Sequence, residues 1–326
     1  MERRAFVKVV VGATIAAPFY AKVRAETNLR LAILVGGPAF PMESPPIKII
    51  TDVLAGYGYT LGQNLEFRCY GADADIGRLP QLAKEIAATG ADAAVVLGWP
   101  PANAMKATNV PTVVALGARD PVATGLVASL ARPGGNVTGI SDNATTLSTK
   151  RLELLKQTKP NIRKVAMLWN KDDLGMTLRY QASADAAKSL GSAVQPLGVH
   201  EPDDFADAFA AMDRDMPDAI LMVADALTIL NRKRVFDYAA AHRLPAIYEQ
   251  DLFVRDGGLM SYGADFKESL ERAASLIDRI FKGAKPADLP FEEPTHYLFV
   301  VNLKTAKSIG LELPPNLLAL ADEVIE

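Results

Sequence analysis

From Leu29 onward the chain repeats one unit: a short, continuous apolar run, then a segment whose apolar residues recur at helical spacing. The runs at 31–35, 65–70, 93–97 and 112–116 are interleaved with helical patterns at 47–54 and 76–88, the latter carrying Leu79, Leu82, Ala83 and Ile86 on one face. Continuous apolar runs of this length suit strands covered on both faces. Strands alternating with helices require parallel sheets joined by right-handed crossovers. The series then starts again, with runs at 165–169, 194–197, 219–223 and 246–248 and helical patterns at 177–190, 204–212 and 230–242. Gly191 stops the first of these helices, and Asp203 and Asp204 lie at the positive end of the second.

The two series echo each other locally. Asp92-Ala93-Ala94-Val95-Val96 parallels Asp218-Ala219-Ile220-Leu221-Met222, and Val110-Pro111-Thr112 parallels Leu244-Pro245-Ala246, each proline leading a strand where its missing N–H does no harm. The fold class expected is α/β, with two Rossmann-like doubly wound lobes joined by a hinge. A turn cluster at 132–136 and a short strand at 137–140 lead to a first connection near 139–143, and further connections are expected around 256–258 and 283–294; three connections between lobes make a hinge that can close on a ligand. The expected division is lobe 1 over 26–140 and 257–287, and lobe 2 over 141–256 and 288–326.

Residues 1–25 read differently. Arg3 and Arg4 precede a short apolar run at 9–20, and Val23-Arg24-Ala25 offers small residues to a signal peptidase. Arg3-Arg4-Ala5-Phe6-Val7-Lys8 is similar to a twin-arginine export signal, which leaves Sec and twin-arginine export both open. The expectation is a soluble periplasmic protein cleaved near Ala25. Cys69 is the single cysteine, so stability must come from core burial, which a chain that is 49% hydrophobic can supply.

Several function classes lose support. The formal net charge is −3 with no basic block, which argues against nucleic-acid binding. There is no P-loop and no Gly-x-Ser-x-Gly elbow, and the Gly36-Gly37 pair lacks the third glycine of a dinucleotide fingerprint. His200, His242 and His296 follow no metal-ligand spacing. No catalysis, cofactor or metal is expected.

With these segments in place, the chain resembles the tryptophan/tyrosine-type substrate-binding proteins of ABC transporters, which have the type I periplasmic-binding-protein fold. The likeness spans nearly the whole chain after the leader. It is carried by Asp120 to Gly139 (DPVATGLVASLARPGGNVTG), Lys150-Arg151-Leu152-Glu153-Leu154-Leu155-Lys156, Gly257-Gly258-Leu259-Met260-Ser261-Tyr262-Gly263 and Asn302-Leu303-Lys304-Thr305-Ala306-Lys307. It implies a two-lobed, hinged binding protein without catalytic activity and does not fix the ligand. The expected role is that of a monomer that captures a small organic solute, an amino acid or an aromatic or apolar acid, and hands it to an ABC permease. A periplasmic sensor that presents its solute to a receptor is the alternative, and an α/β enzyme a more distant one.

Ligands of open α/β sheets bind beyond the carboxyl ends of the strands. The candidate ligand-binding residues are therefore Gly37, Trp99, Pro100, Asp120, Asn170, Asp225, Glu249 and Tyr262. Asp225 follows a buried run, where a carboxylate wants a partner: either a ligand amine, or the N–H groups of the helix it would cap. Glu249 is a second acidic candidate, which could instead pair with an arginine at the hinge. The resembling family has Gly-Thr-Pro or Gly-Ser-Pro where this chain has Gly98-Trp99-Pro100, so an indole replaces the hydroxyl of a carboxylate clamp. That ring either stacks on an apolar ligand or packs on the lobe rim. Phe40, Tyr248 and Tyr262 could add aromatic wall, whereas Trp169 ends a strand and belongs to the core.

Overall fold

The computed structural model describes residues 28–117 and 120–326; the leader expected at 1–25 lies outside them. The first lobe is built from β1 (Leu29–Val35), α1 (Pro45–Gly56), β2 (Leu65–Gly71), α2 (Leu79–Ala88), β3 (Ala93–Leu97), α3 (Trp99–Lys106), β4 (Thr112–Leu116) and β5 (Val137–Gly139). The second runs through α4 (Ala144–Thr158), β6 (Lys164–Asn170), α5 (Leu174–Ser189), β7 (Ala193–Val199), α6 (Asp204–Arg214), β8 (Ala219–Met222), α7 (Ala226–Ala241), β9 (Ala246–Tyr248), α8 (Asp251–Arg255) and β10 (Met260–Ala264). The chain then returns to the first lobe for α9 (Phe266–Phe281). It ends in the second with β11 (Tyr297–Asn302), α10 (Leu303–Ser308), α11 (Pro315–Leu318) and β12 (Glu323–Ile325).

The strand orders are β2-β1-β3-β4-β5 and β12-β11-β10-β9-β8-β6-β7. All pairings are parallel except β10 with β11. The first five strands of each lobe thus follow the same winding, and the order reverses between β1 and β3 in one and between β6 and β8 in the other. Those reversals are where loops part and leave a crevice for a ligand.

Each sheet is covered on both faces, as its continuous apolar strands require. In the first lobe α1 and α9 bury Ile47, Ile50, Leu54, Leu270 and Ile277 against one face, and α2 and α3 bury Leu79, Ile86 and Met105 against the other. In the second, α4, α5, α10 and α11 cover one face, and α6, α7 and α8 the other. Cys69 packs at the edge of the first core, and burial pushes its thiol up to about 11. Trp169 is buried and stacks on Tyr180 with ring centroids 4.2 Å apart, as its strand-end position suggests.

The chain crosses between the sheets three times, after β5, after β10 and before β11. The second crossing differs from the expectation at 256–258. β10 pairs with β9 and β11, so residues 260–264 belong to the second sheet, and the chain leaves it only at Asp265, which caps α9. The third also falls later than 287, because Leu289 and Phe291 still pack in the first lobe's cores. The first and third crossings run side by side: Ser141 N–H donates to the Glu292 carbonyl (2.8 Å), and Glu292 N–H to that of Gly139 (2.9 Å).

Gly263 makes the second crossing possible. A Cβ at this position would lie 1.8 Å from the Glu249 carbonyl oxygen, a backbone atom that cannot swing away. Gly263→Ala should therefore destabilise the protein by about 3 kcal/mol or more, at the severe end of single substitutions. Urea unfolding measures it; a change under about 1 kcal/mol would mean that the two segments can part without penalty.

Candidate functional site

The reversal points bring four loops to the crevice: those after β1 and β3 from the first lobe, and those after β6 and β8 from the second. The lobes meet there. A Cβ built on Gly36 would sit 3.4 Å from the Ala226 Cβ, and one on Gly37 3.8 Å from it, so the loop after β1 rests against the start of α7. Small residues on both sides allow this approach.

On the second lobe, Asp225 caps α7. One carboxylate oxygen accepts from Leu227 N–H (2.7 Å) and Thr228 N–H (3.1 Å), the other from Asn170 N–H (3.3 Å), and the Thr228 hydroxyl closes a capping box on Asp225 N–H. The capping alternative thus holds. Even so, this carboxyl is pushed up from 3.8 to about 7, first by loss of water and second by the nearby Asp173, against the pull of those N–H groups. Asp173 is itself buried and caps α5 through Met176 N–H (3.3 Å). The Asn170 side chain accepts from Asp172 N–H (3.0 Å) and shapes the turn.

Beneath these caps lies a buried ionic cluster. Arg151 of α4 donates to Glu249 (3.0 Å) and to the Tyr262 carbonyl (2.7 Å). Arg179 of α5 pairs with the other oxygen of Glu249 and with Asp142, which lies in the first crossing. Glu249 also accepts from Ala224 N–H (2.9 Å), the residue before the Asp225 cap. Burial opposes the Arg179 charge, but Asp142, Glu249 and Asp173 more than offset it and raise its proton affinity. Arg179 Nε and one Asp142 oxygen are buried with no hydrogen-bond partner among the described residues.

On the first lobe, Gly98 (φ +96°) turns the chain from β3 into α3, and Gly117 packs so closely on it that an added Cβ would lie 3.1 Å from Gly98 Cα. Trp99 and Pro100 then open α3. The indole Nε1 of Trp99 is buried without a partner among the described residues, as is the hydroxyl of Ser44, which precedes α1 and does not cap it. Both residues stand where a loop of the first lobe leads into a helix.

Asn170, Asp225 and Glu249 of the expected set are therefore joined in one cluster, with Tyr262 entering through its carbonyl. Gly37 faces that cluster across the crevice, and Trp99 and Pro100 line the neighbouring loop. Asp120 stands apart: it is exposed, and its carboxylate accepts from Val122 N–H (3.1 Å) and Ala123 N–H (2.9 Å) in a turn. Tyr248 is not a wall residue. It is fully buried in the second lobe's core, its ring 5.2 Å from that of Phe253. The Tyr262 ring packs beside Tyr297 and Phe299, and Phe40 packs against the first core. Sequence reasoning did not single out Arg151, Arg179, Asp142 or Ser44. Arg151 lies within a stretch that carries the family likeness, but nothing local sets Arg179 apart from a surface arginine.

Two other features lie away from the crevice. A surface groove of about 510 Å³ runs between α7 and α10, but its cations are already paired, Arg232 with Asp256 and Lys233 with Asp237. His200, Glu201 and Asp204 come within 4.8 Å of one another, although no regular spacing announced them; they are surface groups, and Lys171 stands 3.8 Å from Asp204.

The raised Asp225 value fixes the sign of a pH effect. The folded state holds this proton more tightly than the unfolded chain, so the group's contribution to stability falls as pH rises from about 4 through about 7 and then levels. Asp225→Asn keeps a carbonyl for the cap and removes the charge. Its melting temperature relative to the unmodified protein should climb between pH 4 and pH 8; a constant difference would contradict the shift.

Comparison with known proteins fits this architecture. The chain is 24% identical over 288 residues, 88% of its length and 82% of the relative's, to a tyrosine-binding protein of Clostridioides difficile. A Streptococcus pneumonia ABC domain in complex with L-Trp superposes with a TM-score of 0.82 at 25% identity, covering 92% of this chain and all of the other. The ligand-free, open form of a Clostridium difficile substrate-binding protein with adhesive properties gives 0.64 at 22% identity, covering 91% and 99%. The profile of the ABC transporter substrate binding proteins matches residues 39–325. A match running through both lobes means that the chain belongs to the ABC transporter substrate binding protein family, with the two-lobed fold of periplasmic binding proteins.

Proposed function

We propose that this protein works outside the cytoplasmic membrane, closes its two lobes on a small organic solute of the amino-acid or aromatic kind, and delivers it to the permease of an ABC importer. The observation that carries the reading is the arrangement of the crevice. Gly36 and Gly37 rest against Ala226; the first lobe carries the Ser44 hydroxyl and the Trp99 indole N–H, buried without partners among the described residues, and the second lobe the crowded Asp225 carboxyl. Buried polar groups without partners are costly, and a ligand that supplies partners favours the closed form by that margin. The tyrosine- and tryptophan-binding relatives point to the same class of solute. The leader-like pattern at Arg3, Arg4 and 9–20 supports export, and no helix among the described residues is long and apolar enough to cross a membrane. The protein acts as a monomer without catalysis, and neither a cofactor nor a nucleic acid enters the reading.

Thermal stabilisation of the purified protein against a panel of amino acids, aromatic acids and amines tests this reading, since a ligand of the native state raises the melting temperature. A stabilising solute recovered unchanged supports it; turnover of that solute would move the protein to the enzymes. Ala226→Phe should hold the lobes apart. It should weaken binding of the stabilising solute tenfold or more in a calorimetric titration. Unchanged affinity in this variant would mean that closure does not bring Gly36 and Ala226 together.

A further inference from the structure

Each crossing between the lobes changes sides within a single residue step. In the first, Ile140 packs in the first lobe's core and its N–H donates to the Val114 carbonyl (2.8 Å), and Ser141 N–H donates to the Glu292 carbonyl (2.8 Å). The next residue, Asp142, is already paired with Arg179 of α5, and the Asn143 side-chain amide donates to the Tyr297 hydroxyl of β11 (3.1 Å). In the second crossing, Ala264 pairs with Tyr297 in the second lobe's sheet. Asp265, one residue on, caps α9 of the first lobe through Lys267 N–H (2.8 Å) and Glu268 N–H (3.3 Å).

The third crossing has no helix or strand of its own over 292–296, and two side chains of α9 grip it instead. Arg272 donates to the Glu292 carboxylate through Nε (2.9 Å) and Nη2 (2.6 Å), and to the Glu293 carbonyl (2.6 Å). Glu268 accepts from the N–H groups of Thr295 (3.3 Å) and His296 (3.0 Å) and from the Thr295 hydroxyl. Arg272 also donates to Glu268 (3.3 Å), so the two act as one clamp, and its half-buried setting spares it the screening that weakens exposed pairs. Asp265 N–H donates to the His296 carbonyl (3.1 Å) and ties this crossing to the second. Tyr297, the next residue, already belongs to β11.

The crossings therefore form two plates. Residues 139–141, Asp265 and 292–296 are bonded together on the first lobe's side, and Asp142, Asn143, Ala264 and Tyr297 on the second lobe's. Only three backbone links join the plates: 141–142, 264–265 and 296–297. Packed lobes move as rigid bodies, and a rotation between them is absorbed by the few residues that neither body holds. Resting on the reading that the lobes close on a solute, we propose that they turn on these three links alone, and that Glu268 and Arg272 are the positioning residues that confine the motion. The clamp joins Glu292, which holds the first crossing, to His296, which holds the second. Without it the segment between them bends along its length, and closure loses its single path.

Spin labels test this on the whole protein without any solute. Lys84→Cys on α2 and Lys188→Cys on α5, both exposed, carry the labels in a Cys69→Ala background, and double electron–electron resonance reads the distance between the lobes. Arg272→Gln should broaden the distance distribution about twofold, since the bend then spreads over 292–297. Glu268→Gln should broaden it in the same sense, and it carries the test alone if Arg272→Gln does not fold. The melting temperature is read alongside: a merely structural role for the clamp lowers it and leaves the distribution unchanged. If the parent shows more than one separation and the folded variants reproduce its distribution, the inference is overturned while the solute-binding reading stands. A single narrow distance in parent and variants alike would count against lobe closure itself, and the inference would fall with it.

Discussion

Much of this structure hangs on one buried ionic cluster. Glu249 accepts from Arg151 and Arg179 while also holding the N–H of Ala224, and Arg179 reaches on to Asp142 in a chain crossing between the lobes. Ion pairs this deep return little net stability, because removing both charges from water costs about as much as their attraction supplies. Their value here is positional. Glu249 fixes the residue that leads into the Asp225 cap, Arg151 fixes the backbone of Tyr262 one residue before Gly263, and Arg179 ties both to the hinge. Removing one partner would strand a buried charge, at a cost of about 3 to 5 kcal/mol, so the loop after β8 and the first crossing are held in one arrangement.

The same anchoring sets the place of Asp225, whose carboxyl burial pushes up to about 7. It is desolvated and faces Asp173, and three N–H bonds only partly compensate. An isolated loop would relax by turning the group to water. This one cannot, because its two ends are gripped by the Glu249 cluster and by the start of α7.

The strands and their winding were legible because each is a continuous apolar run, and the family likeness was legible in longer stretches such as 120–139. Asp225 was also legible as a residue with two possible partners, and the capping bonds account for one of them. The membership of β10 was not, since a strand's pattern does not say which sheet it joins; pairing with β9 and β11 decides that. The ionic cluster was hidden for a related reason. Arg179 is 70 residues from Glu249 and 37 from Asp142, and no periodicity connects partners so far apart. Tyr248 misled because a residue at a strand's end can point into the core as readily as into a crevice. Trp99 was legible as the residue that follows Gly98 into a helix, and its indole N–H, buried without a partner among the described residues, became visible only once the surrounding atoms were in place.

The most direct measurement is proton linkage on binding. Titration of a stabilising amine by calorimetry at pH 7, in two buffers of different ionisation enthalpy, counts the protons exchanged. A carboxyl that burial pushes up to about 7 is partly protonated there, so an ammonium that fixes it as a carboxylate should release a fraction of a proton per ligand, and none in Asp225→Asn. No release, or the same release in the variant, would mean that the ligand's charge does not meet Asp225, and the account of the crevice would be wrong at its centre.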